Sequence, residues 1–186
     1  MHYLGCMRWL ALFVALMLPF AADAAAPADP LDGLFARLRS AGSADEAKPV
    51  EAEILAHFLH SGSPTVDLLM TRAAAARTAG NKDVARKLYD SVTEIDPNYA
   101  EGWHRRGEMQ SEAGQDGPAM LSLQKAVQLN PRHFQALEEL GEMLEDYGDK
   151  PGALKMYRRA DALDPQMEGL QRHIDGLSRD VEGQGI

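Results

Sequence analysis

Pro97, Pro131 and Pro165 stand 34 residues apart, and around each the same residue types return at the same offsets. Alanine lies twelve positions before each proline (Ala85, Ala119, Ala153) and glycine seventeen before (Gly80, Gly114, Gly148). A large side chain lies eight before (Tyr89, Leu123, Tyr157) and a small one five before (Val92, Ala126, Ala160). A period of about 34 residues marks stacked helix pairs, each burying its apolar face against its neighbours, and not one closed core.

Each period divides into two amphipathic helices. The first, helix A, is expected over residues 66–79, 100–113 and 134–147, and the glycine after it turns the chain through positive φ. Asn81, Asp116 and Asp149 are placed to cap helix B, with Pro118 and Pro151 in its first turn. Helix B ends at Ile95-Asp96-Pro97, Leu129-Asn130-Pro131 and Leu163-Asp164-Pro165, where proline removes a donor and restricts the preceding residue. Glycine inside a helix costs about 1 kcal/mol relative to alanine, so Gly107 and Gly141 require close approach of the paired helix. Leu69, Trp103 and Leu137 fill the space beside these small positions.

The pattern Trp103…Gly107…Ala119…Leu123…Ala126…Pro131 resembles the tetratricopeptide repeat (TPR). The next period matches it more fully, through Leu137, Leu140, Gly141, Leu144, Ala153, Tyr157, Ala160 and Pro165. The resemblance covers residues 66–167, just over half the chain. Ala73 stands where the family has glycine, and Arg72 and Arg106 where it has leucine. The fold this implies is an all-α, right-handed helix-pair solenoid with repeats at 66–99, 100–133 and 134–167.

The flanks complete the stack. Within residues 25–65, a small-residue linker precedes a stripe of Leu31, Leu34, Phe35 and Leu38. Ser43 and Glu46 then form a capping-box pair before a second stripe of Ile54, Leu55, Phe58 and Leu59. This reads as a degenerate helix pair closing the N-terminal end. Leu170, Ile174, Leu177 and Val181 give a single-sided capping helix over 168–181, followed by a flexible tail at 182–186.

Residues 1–24 read as a cleavable secretory signal: Arg8, an apolar run over 10–20, and Ala22-Asp23-Ala24 as a small-x-small site. The run is short for a membrane span of about 20 residues, so no stable insertion is expected after cleavage. Removing these residues removes the lone cysteine, Cys6, and leaves the net charge at −9, because Arg8 and Asp23 cancel. That charge opposes nucleic acid and anionic membrane as partners. With the signal, it points to a bacterial periplasm, and small periplasmic TPR proteins of Gram-negative bacteria are similar in layout.

No nucleophile motif, phosphate loop or paired acid–base signature is present. His57 and His60 are three apart but lack further ligands, while His104, His133 and His173 show no ligand spacing, so neither metal nor cofactor is expected. The resemblance places the concave groove on helix A. The acids and histidine expected there are Glu101, His104, Glu108 and Glu112 in repeat two, then Glu138, Glu142, Glu145 and Asp146 in repeat three. The Lys and Asn of the family's carboxylate clamp are missing, so the wall is acidic. It suits a basic protein segment, with Met70 and Trp103 shaping the floor. Alternatively these acids are a solvated face, or pair with Arg172 and Arg179. The expected function is a non-catalytic periplasmic adaptor for a peptide or partner helix, tied to envelope assembly or integrity. The rivals are a self-associating structural protein and an accessory enzyme.

Overall fold

The computed structural model describes residues 29–183; the expected signal and the last three tail residues lie outside them. The described residues form nine helices: α1 (Pro30–Arg39), α2 (Ala44–Phe58), α3 (Pro64–Thr78), α4 (Lys82–Ile95), α5 (Ala100–Glu112), α6 (Asp116–Leu129), α7 (Phe134–Asp146), α8 (Lys150–Asp161) and α9 (Leu170–Glu182). None of these helices is long and apolar enough to cross a membrane.

Three helix pairs, α3/α4, α5/α6 and α7/α8, stack in order, and α9 lies against α8. The 34-residue small positions mark where the paired helices meet. A Cβ on Gly107 would lie 2.9 Å from Leu123 Cγ, and one on Gly141 would lie 2.7 Å from Tyr157 Cε1. Ala85, Ala119 and Ala153 on the B helices are fully buried. Between the helices of each pair, Gly80, Gly114 and Gly148 take φ of +77°, +68° and +82°, a region closed to most L residues.

The expected caps are met unevenly. Asp149 accepts from the Gly152 amide at 3.0 Å. Asn81 occupies its cap position without a side-chain bond. Asp116 lies one residue inside α6, behind Gln115, and its carboxylate accepts from the Tyr147 hydroxyl at 2.9 Å instead. Ser43 accepts from the Glu46 amide at 3.4 Å, while Glu46 reaches back to the Gly42 amide at 2.9 Å.

The N-terminal pair corrects the sequence reading. α1 and α2 do not close the end of the stack. They lie across the turns that link successive repeats, where Phe35, Leu38, Ile54 and Phe58 share one core with Phe134 and pack on Leu163 and Met167. Polar contacts fix this placement. Arg132 binds Asp29 at 2.5 Å and Asp32 at 2.6 Å, the Gln166 side chain donates to the Ala41 carbonyl at 3.1 Å, and Tyr99 donates to the Phe58 carbonyl at 3.0 Å. An apolar stripe must be buried, but it does not say against what.

Candidate partner-binding groove

Glu101 and His104 are one helical turn apart on α5, at register positions that face the groove. They do not line it. Their side chains are each 1% exposed, because the end of α2 and the turn before α7 cover them. The turn contributes His133, whose ring lies 4.4 Å from the ring of His104 and 4.9 Å from that of Phe58.

Hydrogen bonds set the protonation of this cluster. The Ala136 amide donates to His133 Nδ1 at 3.3 Å, so this nitrogen holds a lone pair and the proton sits on Nε2. From there it is donated to Glu101 at 2.8 Å. The other Glu101 oxygen accepts from Arg105 Nε at 2.6 Å. Burial opposes ionisation of Glu101, but His104, His133 and Arg105 outweigh it and hold the carboxyl well below its usual range. Burial likewise opposes charge on His104, yet the carboxylates of Glu139 (2.9 Å from Nε2) and Glu101 push its pKa up to about 9. His133 is lowered by burial and stays neutral.

Glu101, His104 and His133 bring potential metal-ligand atoms within 4.8 Å of one another, contrary to the expectation that the histidines are unrelated. Arg105 holds one Glu101 oxygen and His133 donates its N–H to the other, while His104 Nδ1 is left without a hydrogen-bond partner, so the cluster is arranged chiefly as a charge network.

The network runs outward along the floor with alternating sign. Glu108 sits between Arg105 at 2.8 Å and Arg77 at 3.2 Å. Glu112 follows, held by Arg77 at 2.5 Å and Lys82 at 2.8 Å. The acids of α5 are therefore neutralised within the protein, which corrects the reading of this stretch as an acidic binding wall. Trp103 is not in the floor either: it packs into the core, donates to the Pro97 carbonyl at 2.9 Å and carries the Arg106 guanidinium 5.2 Å from its ring.

α7 behaves differently. Glu138 and Glu142 form no ion pair among the described residues. Burial and repulsion from Glu142 and Glu139 raise the Glu138 pKa to about 7, and burial with repulsion from Glu139 raises that of Glu142. Glu145 accepts from the Tyr157 hydroxyl at 3.0 Å and meets His173 at 3.1 Å. Arg172 and Arg179 line the same depression, but the ion pair goes to His173. Asp146 is exposed at the end of α7. Beside the ladder, Ala56 of α2 and Leu59 just after it face Met70 and Ala74 of α3 across a depression of about 650 Å³. Arg77 borders both this depression and the channel leading to Glu142. The groove thus joins an apolar cup to an unneutralised acidic wall.

On the opposite side, Arg158 of α8 turns to α9 and binds Glu182 at 2.7 Å.

No protein-family model matches the chain. A TPR repeat-containing protein of Rhizobium etli is 29% identical over 157 residues, covering 84% of this chain and 77% of that protein. The first TPR domain of Spaghetti (RPAP3), solved with the HSP90 peptide SRMEEVD, superposes with a TM-score of 0.58 at 19% identity, over 63% of this chain and 93% of that one. The chain has the TPR fold. The type III secretion chaperone SycD of Yersinia enterocolitica, solved with a peptide of the translocator YopD, shares the fold at a TM-score of 0.57 and 15% identity, over 63% of this chain and 95% of the chaperone.

Proposed function

We propose that this protein is a non-catalytic adaptor whose groove holds an extended segment of a partner protein. The observation that carries this reading is the pair Glu138 and Glu142, two carboxylates one turn apart on α7 that form no ion pair among the described residues, with only the field of His173 acting in their favour. An unneutralised concave wall of one sign selects a ligand of the other, here a Lys or Arg side chain. The cup formed by Leu59, Met70 and Ala74 receives an apolar side chain of the same segment. Peptides bound to the Spaghetti and SycD domains support segment binding as the use of such a fold.

The adaptor is exported, on the strength of Arg8, the apolar run at 10–20 and Ala22-Asp23-Ala24, and it works in the periplasm on envelope assembly or integrity. The test has two parts. An array of extended peptides should yield ligands that pair an apolar residue with Lys or Arg, and acidic or purely apolar ligands would sink the reading. Amino-terminal sequencing of the exported form should start at Ala25; retention of Met1 in a membrane fraction would make the adaptor a tethered one.

A further inference from the structure

The groove is not the only surface prepared for a partner. Helix α5 is covered along one side by the preceding helix, α4. Gly102 lies so close that a Cβ there would be 2.6 Å from Val92, Arg106 binds Asp90 at 2.8 Å and reaches Thr93 at 3.4 Å, and Met109 is 2% exposed. The same positions on α7, Ala136, Leu140 and Met143, are buried too. On α3, 34 residues before α5, they are Leu68, Arg72 and Ala75, and all three are exposed, Leu68 by 50%.

The reason is the diversion of α2. Its end is tied to Tyr99 and His133 at the inter-repeat turns, so it does not take the place that α4 takes on α5. Arg72 forms no ion pair among the described residues. The same helix pair exposes Val84 by 51% and Ile95 by 55%.

We propose that this open face of α3 docks an α-helix of another protein, one that presents a carboxylate to Arg72 and a small residue to Leu68. The repeat itself supplies the template. Asp90 answers Arg106 on the covered face, so a carboxylate answers Arg72 on the open one. Val92 fits over Gly102, whereas Leu68 fills that space from the other side and demands a smaller neighbour. Charge decides who the occupant is. Leu68, Arg72 and Ala75 include no carboxylate, so a second copy docked face to face would set Arg72 against Arg72. The protein would then join two partners, one in the groove and one at the end of the stack. The end site does not rest on the groove reading.

The probe is a fluorescein-labelled peptide of residues 82–96 carrying Val92→Ala, stapled on its solvent side to hold the helix and titrated against the full chain by anisotropy. Saturable binding is expected, weakened about tenfold by Arg72→Glu in the protein or by Asp90→Lys in the peptide, and largely restored when the two changes are combined. The version retaining Val92 should bind less well. No binding up to about 1 mM, or binding indifferent to Arg72→Glu, overturns the proposal. A concentration-dependent dimer in light scattering that Leu68→Lys abolishes also overturns it, because the occupant would then be a second copy.

Discussion

A carboxylate oxygen of Glu101 lies 2.8 Å from Nε2 of His133, with the two side chains 1% and 0% exposed. The bond links the first turn of α5 to the residue that caps α7, and so ties one repeat to the next through a buried ion. Arg105 and His104 supply the compensating positive charge.

Deleting one member of such a set is costly because the others remain buried without it. Glu101→Ala should destabilise the fold by about 3–5 kcal/mol in urea or guanidinium titration. Ser122, equally buried but bonded only to Gln110 at 2.7 Å, is the comparison: Ser122→Ala should cost about 1–3 kcal/mol, because the Gln110 oxygen loses its donor. If Glu101→Ala is no worse than Ser122→Ala, the network is incidental to stability.

The same cluster sets a pH profile. His104 is raised in the fold from 6.5 to about 9, so its contribution is complete below pH 6.5 and is lost as pH rises through 9. Glu101 is depressed, so its contribution is complete above its ordinary 4.5 and is lost as pH falls. His133, lowered by burial, erodes stability further below pH 6.5 because only the unfolded chain takes up its proton. Between pH 6.5 and 9 the wild type should lose on the order of 3 kcal/mol through His104. His104→Asn should start lower and remove this alkaline limb. An unchanged slope in the variant would show that His104 is neutral in the fold.

Much of this architecture is legible in the sequence. The period places α3 to α8, their glycine turns and the small positions where the paired helices meet. It fails where packing leaves the repeat. Phe35 and Phe58 announce a buried stripe, but Arg132, 100 residues from Asp32, decides where the hairpin lies. That hairpin turns two groove positions, Glu101 and His104, into core. The histidine pair was hidden for the same reason, since their residue numbers share no ligand spacing. A Glu and a His one turn apart on α5, with a His just before α7, were the available signal. Arg77 lies on α3 and its partners Glu108 and Glu112 on α5, so this pairing across repeats depends on how the helices stack as well as on their register.

Glycine substitutions separate propensity from packing. Gly176 in α9 has open space where a Cβ would go, so Gly176→Ala should stabilise by about 0.5–1 kcal/mol. Gly141→Ala gains the same propensity but drives a methyl to 2.7 Å from Tyr157, whose hydroxyl is fixed on Glu145 at 3.0 Å. Overpacking of this kind costs about 1–3 kcal/mol, so the net effect should be destabilising. Thermal melts of the two variants should move in opposite directions. A stabilised Gly141→Ala would mean that α7 and α8 are not in close contact in solution.

The groove is tested by removing its charge without removing its shape. Glu138→Gln with Glu142→Gln keeps the side-chain volume and abolishes the like-charge pair one turn apart on α7. Because the Glu138 pKa is raised to about 7, this carboxylate lowers stability progressively as pH rises from its ordinary 4.5 through 7. The double variant should therefore be more stable than wild type at pH 8 by roughly 1 kcal/mol or less, since the site is partly solvated, and no more stable at pH 4. Binding of a Lys-containing peptide should respond in the opposite sense. Wild-type affinity should rise between pH 6 and 8 as Glu138 ionises and should fall with added salt. The variant should bind about five- to tenfold more weakly at pH 8, with little dependence on pH or salt. Gained stability with unaltered binding would assign Glu138 and Glu142 to a strained solvent face, and the groove reading would fail while the fold remained intact.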